Sequence, residues 1–130
     1  MIGHILGQKN SLYYMNDTYT PKRIKLHKNK KTIEVSFPDG KIFLLTANYL
    51  RVFSPSAEVK GHNGGEGVLI LGKEDVEIKD IEPIGLYAIK LIFNDGHNTG
   101  IYTWQIIYEL GINFEKNWKR YLERIKKIGR

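Results

Sequence analysis

The chain contains no cysteine among its 130 residues. That absence excludes disulfides, thiolate metal ligands and thiol nucleophiles, and with them zinc fingers, protein-ligated iron–sulfur clusters and cysteine hydrolases. Long apolar runs are lacking too. The longest near the start, Met1 to Leu6, is broken by Gly3 and His4, far short of the roughly 20 apolar residues that cross a bilayer. Nothing before Lys9 has the basic, apolar and small-residue segments of a secretory signal. A cytoplasmic protein that does not enter membranes is expected. Catalytic signatures are equally scarce. There is no Gly-x-Ser-x-Gly elbow, and Ser54 and Ser56 flank Pro55 without a neighbouring histidine to activate either hydroxyl. Carboxylates are scattered singly, and the Gly-rich stretch Gly61 to Gly67 has neither the Lys-Ser/Thr ending of a Walker loop nor a dinucleotide fingerprint. These absences point to a protein that is not an enzyme and works by binding.

What is present suits one small globular domain. Hydrophobic residues make up 42% and charged residues 26% of the chain, close to the globular average. Residues 1–20, rich in Gly, Asn, Tyr and Thr, show no period and end at Pro21, so they read as an irregular extension to a single domain over 21–130. The net charge of +6 is unevenly spread. Lys22 to Lys31 and the last fifteen residues are basic, whereas Glu58 to Glu82 is acidic. Most such runs are solvated faces of strands and helices.

Alternation of apolar and polar residues marks strands at Arg23–Lys28, Thr32–Phe37 and Ile42–Leu45, the last two joined by the turn Pro38-Asp39-Gly40. Thr46 caps a short helix with Ala47, Leu50 and Phe53 on one face, stopped by Pro55. A mobile or ligand-facing loop is expected between Ser54 and Gly72. Val76 to Lys79 alternates, Glu82-Pro83-Ile84-Gly85 suits a turn, Tyr87–Phe93 is β-prone, and Asn94-Asp95-Gly96 closes a hairpin onto Thr99–Tyr102. Thr103 caps a helix ending at Gly111, and Asn113 caps a last one, Phe114 to Lys127, whose Phe114, Trp118, Tyr121, Leu122 and Ile125 form a buried stripe. Strand, Phe-x-Asp-Gly turn, strand, Thr and helix thus occur twice. The expected class is α+β: an antiparallel sheet built from β-hairpins, with short helices and a C-terminal amphipathic helix packed on it.

None of His4, His27, His62 and His97 stands at a metal-ligand spacing. A site assembled across the fold from His62, His97, Asp95 and Glu58 would hold a divalent metal, the candidate cofactor here, and would make the chain a small metal-dependent enzyme. Tyr13, Tyr14 and Tyr19 beside the basic tract Lys22 to Lys31 give a second alternative, nucleic-acid binding.

Three ordered motifs carry a resemblance: Leu50-Arg51-Val52-Phe53-Ser54-Pro55-Ser56-Ala57-Glu58-Val59-Lys60-Gly61-His62, then Ile81 to Ala88, then Phe93-Asn94-Asp95-Gly96-His97-Asn98-Thr99-Gly100-Ile101-Tyr102-Thr103-Trp104. Over residues 21–125 the chain resembles the gamma-butyrobetaine hydroxylase N-terminal-like domain family. The resemblance implies an accessory module, found alone, on 2-oxoglutarate- and iron-dependent hydroxylases, or on Mrp-type P-loop ATPases that carry iron–sulfur clusters. It implies a protein partner of that ATPase kind. The contact surface expected for such a module here is Arg51, Glu58, His62, Asp95, His97, Tyr102 and Trp104. In hydroxylase members it also implies a structural zinc on three cysteines and one histidine. Here Ser54, Ser56 and Val59 stand at the cysteine positions and His97 alone is kept.

Overall fold

The computed structural model describes residues 20–56, 59 and 67–129. Glu58, His62 and, Thr20 apart, the expected irregular extension lie outside the described residues. Three strands come first, β1 (Arg23–Leu26), β2 (Thr32–Ser36) and β3 (Ile42–Thr46), paired antiparallel in that order. Alternation sends Ile33, Val35 and Leu45 into the core, while Ile42 and Leu44 on the other face of β3 stay exposed. Thr46 then caps α1 (Ala47–Val52), its hydroxyl accepting the Tyr49 N–H at 3.1 Å.

The same sentence of structure is repeated. Strands β4 (Ile78–Ile84), β5 (Ala88–Phe93) and β6 (Ile101–Thr103) pair antiparallel in that order, and Thr103 caps α2 (Trp104–Ile112) by accepting the Ile106 N–H at 3.2 Å. The two Asp-Gly turns match bond for bond. The Phe37 N–H donates to Lys41 O at 2.9 Å and the Phe93 N–H to His97 O at 3.0 Å. Gly40 and Gly96 both take φ of +92°, a region closed to most side chains. Asp39 Oδ1 accepts the Lys41 N–H at 2.9 Å, and Asp95 Oδ1 the His97 N–H at 3.0 Å. The repeat read from the sequence is therefore a shared structural unit, and the α+β class is as expected, with the hairpins divided between two three-stranded sheets.

Three local expectations change. Pro83 lies inside β4, which continues to Ile84 before turning at Gly85. A proline is tolerated there because β4 is an edge strand and needs no second ladder partner for its missing N–H. Asn113 makes no side-chain cap bond to α3 (Phe114–Lys127); its amide instead donates back to Glu109 O at 3.0 Å, closing the end of α2. The apolar stripe of α3 is only partly buried: Tyr121 is covered, but Phe114 and Leu122 are exposed.

One core joins both sheets to the helices, with Ile33, Val35 and Leu45 from the first sheet, Ile78, Leu91 and Phe93 from the second, and Leu50, Ile107 and Leu110 between them. Gly111 lets α2 approach β3, since a Cβ there would come within 2.5 Å of the Phe43 ring. Tyr49 of α1 is fully buried, donates its hydroxyl to Leu110 O at 2.6 Å and accepts from Asn117 at 3.0 Å. Burial pushes the Tyr49 phenol above its ordinary pKa, against the pull of the Asn117 bond. Tyr49 thus ties α1, α2 and α3 together. Tyr49→Phe keeps the ring and strands two polar partners, so it is expected to cost about 1–3 kcal/mol in urea unfolding.

Candidate binding site

The polar residues singled out in the sequence converge where the end of α1 meets the β5–β6 turn. Arg51, on the last turn of α1, directs Nε at Asp95 Oδ2, 2.8 Å away. Lys73 Nζ reaches the same oxygen at 2.7 Å. Asp95 thereby gathers a guanidinium, an ammonium and the His97 N–H around one carboxylate whose side chain is 18% exposed. Partial burial by itself would raise its pKa; the bonds from Lys73, the His97 N–H and Arg51, with the Arg51 charge, outweigh that and hold it down at about 2. The first unit answers in kind: the Tyr108 hydroxyl donates to Asp39 Oδ2 at 2.6 Å and lowers the Asp39 pKa. Arg51 and Tyr108 are each the fifth residue past a capping threonine. Each unit's helix therefore holds the turn aspartate of the other.

Beyond this pair lies a buried hydroxyl–imidazole cluster. Ser54 is 1% exposed and His97 7%. Ser54 Oγ stands 3.0 Å from His97 Nε2, and Ser56 Oγ 3.5 Å from the same nitrogen. The sequence showed no histidine next to either serine, because separations of 41 and 43 residues are bridged only by folding. Ser54 Oγ also accepts the Ser56 N–H at 3.3 Å. Tyr102, fully buried, donates its hydroxyl to Leu50 O at 2.6 Å, and burial pushes its pKa up against the opposing effects of Ser54 and Arg51. Gly100 makes this packing possible. A Cβ there would lie 2.4 Å from Ser54 Oγ and 3.2 Å from the Tyr102 ring.

The contact surface proposed from sequence thus separates into parts. Arg51, Asp95, His97 and Tyr102 are brought together, His97 and Tyr102 as buried groups. Trp104 belongs to another neighbourhood, where its indole N–H donates to Leu86 O at 2.8 Å beside the exposed Leu86 and Tyr87. Lys73, which completes the Asp95 cluster, was not anticipated; it lies 22 residues from its partner with no local signal.

The three positions at which the resemblance places zinc-binding cysteines do meet His97 in part: Ser54 and Ser56 face its Nε2, and Val59 is buried. Two neutral hydroxyls, one hydrocarbon side chain and a hydrogen-bonded imidazole do not fit a structural zinc, which takes thiolates and imidazoles. Among the described residues no group of three or more His, Asp or Glu side chains is placed to hold a metal ion.

Two outcomes follow from this geometry. A depressed carboxylate stabilises the fold above its unfolded pKa, and that contribution is lost as pH falls through its folded value. Asp95→Asn should therefore be less stable than the parent at pH 7, with the gap in urea midpoint closing between about pH 4 and pH 2. Gly100→Ala should cost about 1–3 kcal/mol, and markedly less when Ser54→Ala has removed the obstructing oxygen, a non-additivity read from a double-mutant cycle.

The sequence pattern described as gamma-butyrobetaine hydroxylase-like, N-terminal, matches residues 24–108. Among solved structures, a crystal structure from Acidithiobacillus ferrooxidans, described as a protein of unknown function in the DUF971 family, is 35% identical, with 73% of this chain and 96% of that one covered and a TM-score of 0.61. Two solution structures determined by NMR are each 43% identical, cover 85% of this chain and 84% and 86% of their own, and give TM-scores of 0.71 and 0.72. No functionally curated protein matches the chain. The match over 24–108 and these relatives establish that the chain belongs to the gamma-butyrobetaine hydroxylase-like, N-terminal family.

Proposed function

We propose that the domain is a non-enzymatic recognition module, accessory to a P-loop ATPase that carries iron–sulfur clusters. The observation that carries this reading is the condition of the Ser54–His97 pair. A hydroxyl 3.0 Å from an imidazole is the spacing of a nucleophile and its base, but Ser54 Oγ is buried, takes a backbone N–H, and is crowded by Gly100 and Tyr102. An attacking oxygen needs a reacting carbon about 3 Å away on an open side. Ser54, 1% exposed, offers no such open side. The pair therefore acts as a tie between the end of α1 and the β5–β6 turn, and the Arg51–Asp95–Lys73 ion cluster is a second tie beside it.

What such ties position is an edge able to receive a partner. Arg51 Nη1 is buried and has no hydrogen-bond partner among the described residues. Leu86, 91% exposed, and Tyr87 project beside Trp104. A partner bringing an apolar side chain to the exposed Leu86 and Tyr87, beside the Trp104 indole, matches that patch. The ATPase assignment itself rests on the family resemblance.

The test is a titration of the nitrogen-15-labelled chain with a purified Mrp-type P-loop ATPase. Saturable shifts at the Arg51 Nε–H and Trp104 indole signals are expected. Two results would overturn the reading: hydrolysis of an activated ester that disappears in Ser54→Ala, or binding of an oligonucleotide at Lys22 to Lys31 with affinity that falls steeply as salt rises.

A further inference from the structure

Helix α3 presents one side to the domain through Tyr121 and has another that the described residues leave uncovered. Phe114 and Leu122 are 38% and 49% exposed, and with Trp118 between them they recur every four residues, forming a continuous apolar stripe. The stripe lines a shallow groove of about 410 Å³, flanked along one side by Glu115, Lys119, Glu123 and Lys126. Trp118 is fixed in place by stacking on Tyr121, with ring centroids 4.8 Å apart, and on Phe114 at 6.2 Å. This is a rigid apolar surface with a charged margin.

We propose that the stripe is a self-association surface, occupied by α3 of a second copy lying antiparallel. The charges of the margin carry the argument. Their signs alternate along the helix, negative, positive, negative, positive. A two-fold axis perpendicular to two antiparallel helices brings the same flank of each copy face to face. With that axis beside residues 120 and 121, Glu115 meets Lys126 of the second copy, Lys119 meets its Glu123, and symmetry repeats both pairs. In the same register Trp118 falls against Leu122 of the second copy, and Leu122 against its Trp118. A parallel arrangement joins opposite flanks and loses this match. A partner helix of uniform charge, acidic or basic, would face two like charges whichever sign it carried. The margin is complementary to itself read backwards.

The apolar stripe is short and each chain carries a net charge of +6, which opposes approach. The dimer is therefore weak, with a Kd on the order of 100 µM. Sedimentation equilibrium of the full chain up to about 1 mM measures it. Leu122→Lys, at a half-exposed position, should leave the folded monomer intact by circular dichroism and abolish the dimer. Glu123→Lys, which sets Lys119 against a lysine twice over, should weaken association about tenfold, and adding Lys119→Glu should restore it by re-forming the 119–123 pair with its two charges exchanged. A wild-type chain that remains monomeric at about 1 mM overturns the proposal. So does a dimer indifferent to both Leu122→Lys and Glu123→Lys. If Leu122→Lys leaves the mass unchanged and shifts only the amides of residues 1–19, the stripe belongs to the chain's own N-terminal segment and the proposal fails.

Discussion

Asp95 is the point at which the two halves of the molecule are fastened. A turn aspartate would ordinarily need only its own backbone, and Asp39 and Asp95 each use one oxygen in that way. The second oxygen is what matters: Asp39 gives it to Tyr108 of α2, and Asp95 gives it to Arg51 of α1 and to Lys73. Among the described residues neither sheet has more than three strands, and neither buries its inner face alone, so two units of this size need each other's side chains. The core supplies most of that attraction. The crossed aspartate contacts fix how the units register, because a hydrogen bond fails at displacements that an apolar contact tolerates.

The polar cluster follows from that fastening. Once Arg51 is anchored on Asp95, the residues just after α1 are laid against the β5–β6 turn, and Ser54 and Ser56 arrive at His97. The carboxylate is held near pKa 2 by cations and an amide that are themselves structural, and the Tyr102 phenol is moved away from neutrality by burial. Perturbed groups of this kind are common in active sites, but ion-pair networks that hold a fold perturb pKa values equally well. Burial of Ser54 and the crowding at Gly100 favour the second use here, in support of the proposed recognition role.

Much of this architecture was legible in the residues. Asp-Gly turns and Thr caps act through their immediate neighbours, so Asp39-Gly40, Asp95-Gly96, Thr46 and Thr103 announced both hairpin-and-helix units, and the bounds of α3 could be read from its period. What could not be read was decided by partners distant in sequence. Pro83 sits in a strand because β4 has one free edge, a property of the sheet and not of the tetrapeptide. Lys73 and the serine–histidine contacts depend on closures of 22 to 43 residues. The helical period of Phe114, Trp118 and Leu122 says they share a face, but not whether the domain has enough surface to cover it. Of the candidate site, the identity of Arg51, Asp95 and His97 came from the motif, while the partners each one takes came from the geometry.

The central claim, that the Arg51–Asp95 contact exists to hold the two units in register, is most directly tested by a thermodynamic double-mutant cycle on Arg51→Met and Asp95→Asn, read by urea unfolding at pH 7. A coupling of about 1–3 kcal/mol, with each single variant destabilised, is what the account requires. Additive effects with a coupling near zero, or single variants as stable as the parent chain, would contradict it.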